Sequence, residues 1–111
     1  MGRISNLLAS GSVFYDSVSV NATADGANTV IPAQTGKKIR VVNYMLAGTA
    51  VGTIILQTTG GTEKARIRVG GDGGGASFEG EFVFETPVSE GVVLVNHAGN
   101  DTFGHIGYIA L

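Results

Sequence analysis

Apolar residues in this chain recur at every second position rather than at every third or fourth, and glycine cuts the recurrence into short pieces. That pattern admits strands and leaves little room for helix. Runs of this kind lie near residues 13–20, 28–31, 37–47, 50–58, 63–69, 77–85, 91–96 and 103–110. Between them stand turn-forming clusters such as Asp25-Gly26-Ala27-Asn28, Thr59-Gly60-Gly61 and Ala98-Gly99-Asn100-Asp101. Eighteen glycines against two prolines fit the same picture. The spacing predicts an all-β fold, an antiparallel jelly-roll-type β-sandwich of about eight strands. A chain of 111 residues buries roughly 65% of its surface on folding, enough for one core. We therefore expect a single sandwich domain over residues 13–111, preceded by an N-terminal arm over residues 1–12.

Two runs alternate cleanly. In Glu63 to Val69, Ala65, Ile67 and Val69 share one face and Lys64, Arg66 and Arg68 the other. In Ser77 to Glu85, Phe78, Phe82 and Phe84 oppose Glu79, Glu81 and Glu85. Joined by the glycine-rich loop 70–75, they predict a hairpin with Arg68 opposite Glu79 and Arg66 opposite Glu81, and with Val69 beside Phe78 and Ala65 beside Phe82. In Lys37 to Ala47 the apolar phase switches from Ile39 and Val41 to Tyr44 and Leu46, which predicts a bulge near Val42-Asn43. Three further runs, Ile54 to Leu56, Val92 to Val95 and Ile106 to Leu111, have no polar face and predict strands covered on both sides. Another copy of the chain is the expected outer cover, with Val93, Val95 and Ile109 at the subunit interface.

Charge narrows the partners. Nine acidic and seven basic residues give a net charge of -2, which lacks the positive field that nucleic acid requires. No apolar run is long enough for a membrane-spanning helix, and we expect neither partner. Six of the seven basic residues lie in 37–68 and six of the nine acidic ones in 72–101. Beyond the expected hairpin pairs, this leaves Lys37, Lys38 and Arg40 to meet Glu85, Glu90 and Asp101 across a head-to-tail subunit interface. With no cysteine, thiolate chemistry and disulfides are excluded. Motifs that would place a nucleophile, a phosphate cradle or a zinc site do not occur. His97 and His105 are read as ordinary turn and strand residues. We expect no catalytic residue, no metal and no cofactor. The tripeptides starting at Asn21 and Asn100 match glycosylation acceptors by chance on this reading.

The stretch Ile31-Pro32-Ala33-Gln34-Thr35-Gly36-Lys37-Lys38-Ile39-Arg40-Val41, then Gly60-Gly61-Thr62, then Gly104-His105-Ile106-Gly107-Tyr108-Ile109 resembles a small β-module of tailed-bacteriophage virion proteins, over about residues 28–111. Size, lack of cysteine and the N-terminal segment are most similar to the capsid decoration, or cement, proteins. That resemblance implies a non-enzymatic homotrimer on the outer capsid surface, made in the host cytoplasm, with the major capsid protein as partner. On that basis Arg3, Ile4, Leu7 and Leu8 of the arm are the expected capsid anchors. The alternative is a tail or fibre-tip module whose loops 70–75 or 97–102 grip a host glycan, against which stand the absence of Trp and a count of three Tyr.

Overall fold

Where valine, isoleucine and threonine alternate with polar residues, the backbone is extended, because β-branched side chains suit a pleated surface. The computed structural model describes residues 15–69 and 75–111, with residues 75–82 followed by their backbone alone. Along them run β1 (Asp16–Ala22), β2 (Gly26–Ile31), β3 (Ile39–Gly48), β4 (Gly52–Thr58), β5 (Glu63–Val69), β6 (Gly75–Glu85), β7 (Val92–Asn96) and β8 (Thr102–Ala110). No helix occurs among the described residues. The strands form two four-stranded antiparallel sheets, ordered β1-β8-β3-β6 and β2-β7-β4-β5. The pairings are nested, β1 with β8, β2 with β7, β3 with β6 and β4 with β5, and the additional pairs β3 with β8 and β4 with β7 complete the sheets.

The inner faces of the two sheets enclose one core. Val20, Ile39, Val41, Leu46 and Ile106 of the first sheet meet Ile31, Ile54, Leu56, Ile67, Val69, Val92 and Leu94 of the second. Each fully buried aliphatic side chain contributes about 1.5–3 kcal/mol. The phase switch in β3 is a bulge, since Val41 stands opposite Tyr108 while Asn43 stands opposite the next residue along β8, Gly107. Val42 is the extra residue and is buried. The strands apolar on both faces prove to be the central ones: β7 and β4 in one sheet, β8 in the other. β8 also lies very close to β3. Gly104 has φ +147°, and a Cβ there would collide with the carbonyl oxygen of Met45.

One expectation is overturned. β5 and β6 do not form a hairpin: β5 pairs with β4, β6 pairs with β3, and the two lie in opposite sheets. Arg68 faces Thr53 and Arg66 faces Ile55, Ala65 stands by Leu56 and Val69 by Gly52. Glu79 stands opposite Asn43 and Phe78 opposite Tyr44. Alternation specifies which face of a strand is buried, and two facing sheets satisfy it as well as one hairpin does.

Successive strands other than β4 and β5 lie in opposite sheets, and the connections fall into two groups. Residues 23–25, 49–51 and 97–101 gather at one end, where β5 also ends and β6 begins. Residues 32–38, 59–62 and 86–91 gather at the other. The arm with Arg3, Ile4, Leu7 and Leu8, and residues 70–74 of the glycine-rich loop, lie outside the described residues.

Candidate functional site

At the end formed by residues 23–25, 49–51 and 97–101, side-chain amides and hydroxyls are turned inward. Asn96 Nδ2 donates to the carbonyls of Ala22 and Ala24 at 2.9 and 3.1 Å. Its Oδ1 accepts from Asn100 Nδ2 at 3.0 Å and from Thr102 Oγ1 at 2.7 Å. Asn100 Oδ1 in turn accepts the Ala50 amide N–H at 3.1 Å. All three of these side chains are buried. Two exposed contacts repeat the stitching: Asp25 Oδ1 accepts from the Gly99 N–H, and Thr49 Oγ1 accepts from the Asp101 N–H. Three connections that would otherwise move independently are thus held as one platform, because a buried amide left without a partner costs more than a hydrogen bond gains.

His97 belongs to this platform. Its Nε2 faces the Ala50 carbonyl and its Nδ1 the Ala98 carbonyl, both at 3.3 Å. The ring lies against Gly52, where a Cβ would meet it. Each tautomer offers one N–H, so the ring donates to one of these two carbonyls, and its surroundings are those of the turn residue that the sequence expects. His105 is on β8, exposed, opposite Ser19 of β1 and Met45 of β3. Among the described residues no group of three His, Cys, Asp or Glu side chains could hold a metal ion. Asn100 is fully buried, so the acceptor tripeptide there is closed to modification in the folded chain, whereas Asn21 is exposed.

Two ion-paired groups lie toward the opposite end. Arg40 and Glu85 are directly opposed on β3 and β6. Arg40 Nε donates to Glu85 Oε2 at 2.8 Å and its NH2 group lies 2.7 Å from the same oxygen, while Lys38 Nζ is 3.7 Å from Oε1. The Arg40 hydrogen bond, with the Arg40 and Lys38 charges behind it, holds the Glu85 carboxyl below its ordinary pKa. Arg66 makes a similar pair with Glu63, at 2.7 and 3.1 Å, again lowering the carboxylate pKa and raising that of the guanidinium. Glu90 Oε1 accepts the Gly60 N–H at 2.9 Å. Lys37 is exposed, with its backbone bonded to Gln34 and Ser89. Lys38, Arg40 and Glu85, which the sequence assigned to contacts between subunits, are thus matched to each other inside one chain. Thr86 anchors this end, accepting from the Ile39 N–H and donating toward the Pro87 and Glu90 carbonyls.

The three apolar interface candidates differ in what they offer. Val93 is only 8% exposed, flanked by Thr29 and Gln57 in its own sheet, so it has little surface left to bury. Val95 and Ile109 are half-buried. The large apolar side chains that do face solvent are others, among them Met45 at 54%, Val51 at 59% and Phe103 at 42% exposed. Sequence reading missed these because Met45 and Phe103 sit in runs whose inward partners are also apolar. The buried amides were missed because asparagine in a turn reads as turn chemistry. A groove of about 280 Å³ also runs between the edge strands β1 and β2, lined by Ser19, Asn21, Ala22, Asn28, Thr29 and Val30.

No family model, no curated protein and no solved structure matches this chain.

Proposed function

We propose that this chain is a non-enzymatic structural protein of a phage virion, a decoration or cement protein that assembles as a homotrimer and binds the major capsid protein on the outer surface of the head. The reading starts from the resemblance of residues 28–111. The observation that carries it is how the polar side chains are used. Asn96, Asn100, Thr102, Thr86 and His97 all bind the chain's own backbone or one another, while uncharged and apolar groups, Met45, Val51 and Phe103, face outward. A rigid sandwich with that surface suits adhesion. The nested pairings of β1 with β8 through β4 with β5 support the jelly-roll type, since a long antiparallel ribbon rolled on itself gives this order of strands.

Adhesion then acts by mass action: a protein that binds the mature shell better than its precursor stabilises the mature state by the difference in binding free energy. The anchor on this reading is the arm with Arg3, Ile4, Leu7 and Leu8. Deletion of residues 2–10 is expected to abolish co-sedimentation with purified capsids while the oligomer mass in native mass spectrometry is unchanged. Capsid binding at full strength by the deleted protein overturns the anchor assignment, and absence of capsid binding by the intact chain overturns the function.

One placement favours keeping the second reading, a receptor-binding module at a tail or fibre tip. Residues 97–101 stand at the same end as the last residue of β5 and the first of β6, the strands that flank the glycine-rich loop in the sequence. A glycan array probed with the intact protein separates the two readings.

A further inference from the structure

The outer faces of the two sheets differ in a way that composition does not reveal. On the second sheet, β5 turns Lys64, Arg66 and Arg68 outward, all exposed, and a row of three cations belongs in water. On the first sheet, the register places Ser17, Ser19 and Asn21 of β1, Phe103 and His105 of β8, and Met45 and Ala47 of β3 on one outer face. Across these three strands, from Met45 and Ala47 to Ser17, no carboxylate, lysine or arginine interrupts the surface. On this outer face the described charge lies on the β3–β6 side, where Glu85 stands opposite Arg40, while Asp16 of β1 alternates with Ser17 and falls on the other face with Val18 and Val20. Phe103 and Ala47 are direct neighbours, as are His105 and Met45, so the exposed aromatic and thioether sit together on the two central strands.

We infer that this face, centred on Met45, Ala47, Phe103 and His105, is where one copy of the chain packs on another. Three observations select a second copy as the occupant. An uncharged face can meet its own kind without like-charge repulsion, which the face bearing Arg66 and Arg68 cannot. Its layout, apolar residues at the centre with serine and asparagine on one flank and the Arg40–Glu85 pair at the other, is that of an interface core and rim. Its size suits a weak, concentration-dependent contact. Three strands at the usual spacing and nine residues of β8 give roughly 14 by 30 Å, hence about 430 Å² per copy and about 860 Å² for a pair, below the roughly 1,200 Å² of stable interfaces. The inference rests on the self-association part of the proposed function but pairs two copies face to face, where a trimer needs a head-to-tail contact, and it replaces Val93 as the centre of the contact.

The test uses the full chain at a series of concentrations in native mass spectrometry and sedimentation velocity. Wild-type protein is expected to associate, and Met45→Glu and Phe103→Glu, each at a solvent-facing position, are expected to shift it to monomer with an unchanged circular-dichroism spectrum. Arg68→Glu, on the other outer face, is expected to leave association intact. A second readout needs no substitution: in dilute hydrogen peroxide, the rate of Met45 sulfoxide formation should fall as protein concentration rises through the association range. A monomeric wild type, association that survives both glutamates, association lost equally in Arg68→Glu, or Met45 oxidation indifferent to concentration would each overturn the inference. Loss of association on deletion of residues 2–14 also overturns it, by making the arm the occupant. Capsid co-sedimentation is scored separately, so a chain that associates through this face yet ignores capsids refutes the decoration role and leaves the interface standing.

Discussion

At the scale of single residues, the polar side chains with most influence are those that never meet solvent. Asn96 supplies two donors to Ala22 and Ala24 and one acceptor shared by Asn100 and Thr102. Replacing it with alanine strands several buried groups at once, and Asn96→Ala is expected to lower stability by about 2–4 kcal/mol in urea unfolding. Asn96→Asp tests the same geometry differently, since a carboxylate accepts where the Ala22 and Ala24 carbonyls need a donor. It should be at least as damaging at neutral pH. Little of this was legible in the sequence. Asn96, Asn100 and Thr102 announce a turn between two apolar runs, and only the meeting of three connections at one end turns them into a buried network. His97, read as a turn residue, faces the Ala50 carbonyl, 47 residues away in the chain.

At the scale of strands, periodicity located the elements well, because the alternation in β5 or the phase switch in β3 is written in adjacent residues. The bulge at Val42 was legible for that reason. Deleting Val42, the unpaired extra residue, would leave Ile39, Val41, Tyr44 and Leu46 in one unbroken alternation, whereas inserting a second residue beside it would put one of those two pairs on the wrong face; the insertion is expected to give a chain without a cooperative thermal transition, and the deletion to keep one. Which strand lies beside which was legible only where the register is local in consequence. The expected β5–β6 hairpin satisfied both faces of both strands on paper, yet Arg66 finds Glu63 on its own strand, and Glu85, assigned to a subunit contact, finds Arg40 and Lys38. The Arg40–Glu85 pair gives a pH prediction. A carboxyl whose folded pKa is depressed adds stability that is complete above its unfolded value, near ~4.3, and is lost as pH falls through the lower folded value. Melting curves of wild type and Glu85→Gln should therefore differ at neutral pH and converge in acid, and added salt should narrow the neutral difference because the pair lies at the surface.

At the scale of the whole molecule, strands distant in sequence are neighbours in space: β1 pairs with β8 and β2 with β7. Few of the contacts that define the sheets can form early, and refolding followed by stopped-flow fluorescence of the tyrosines is expected to take milliseconds to seconds rather than microseconds. β8 is the strictest case, since it fills the place between β1 and β3 in the first sheet. During synthesis, then, a nascent chain displaying β1 through β7 has a gap in that sheet and two unsatisfied edges around it. It must wait, soluble but unfinished, until the ribosome releases the strand that closes the gap, and a cell making many copies at once must keep those open edges from finding each other first.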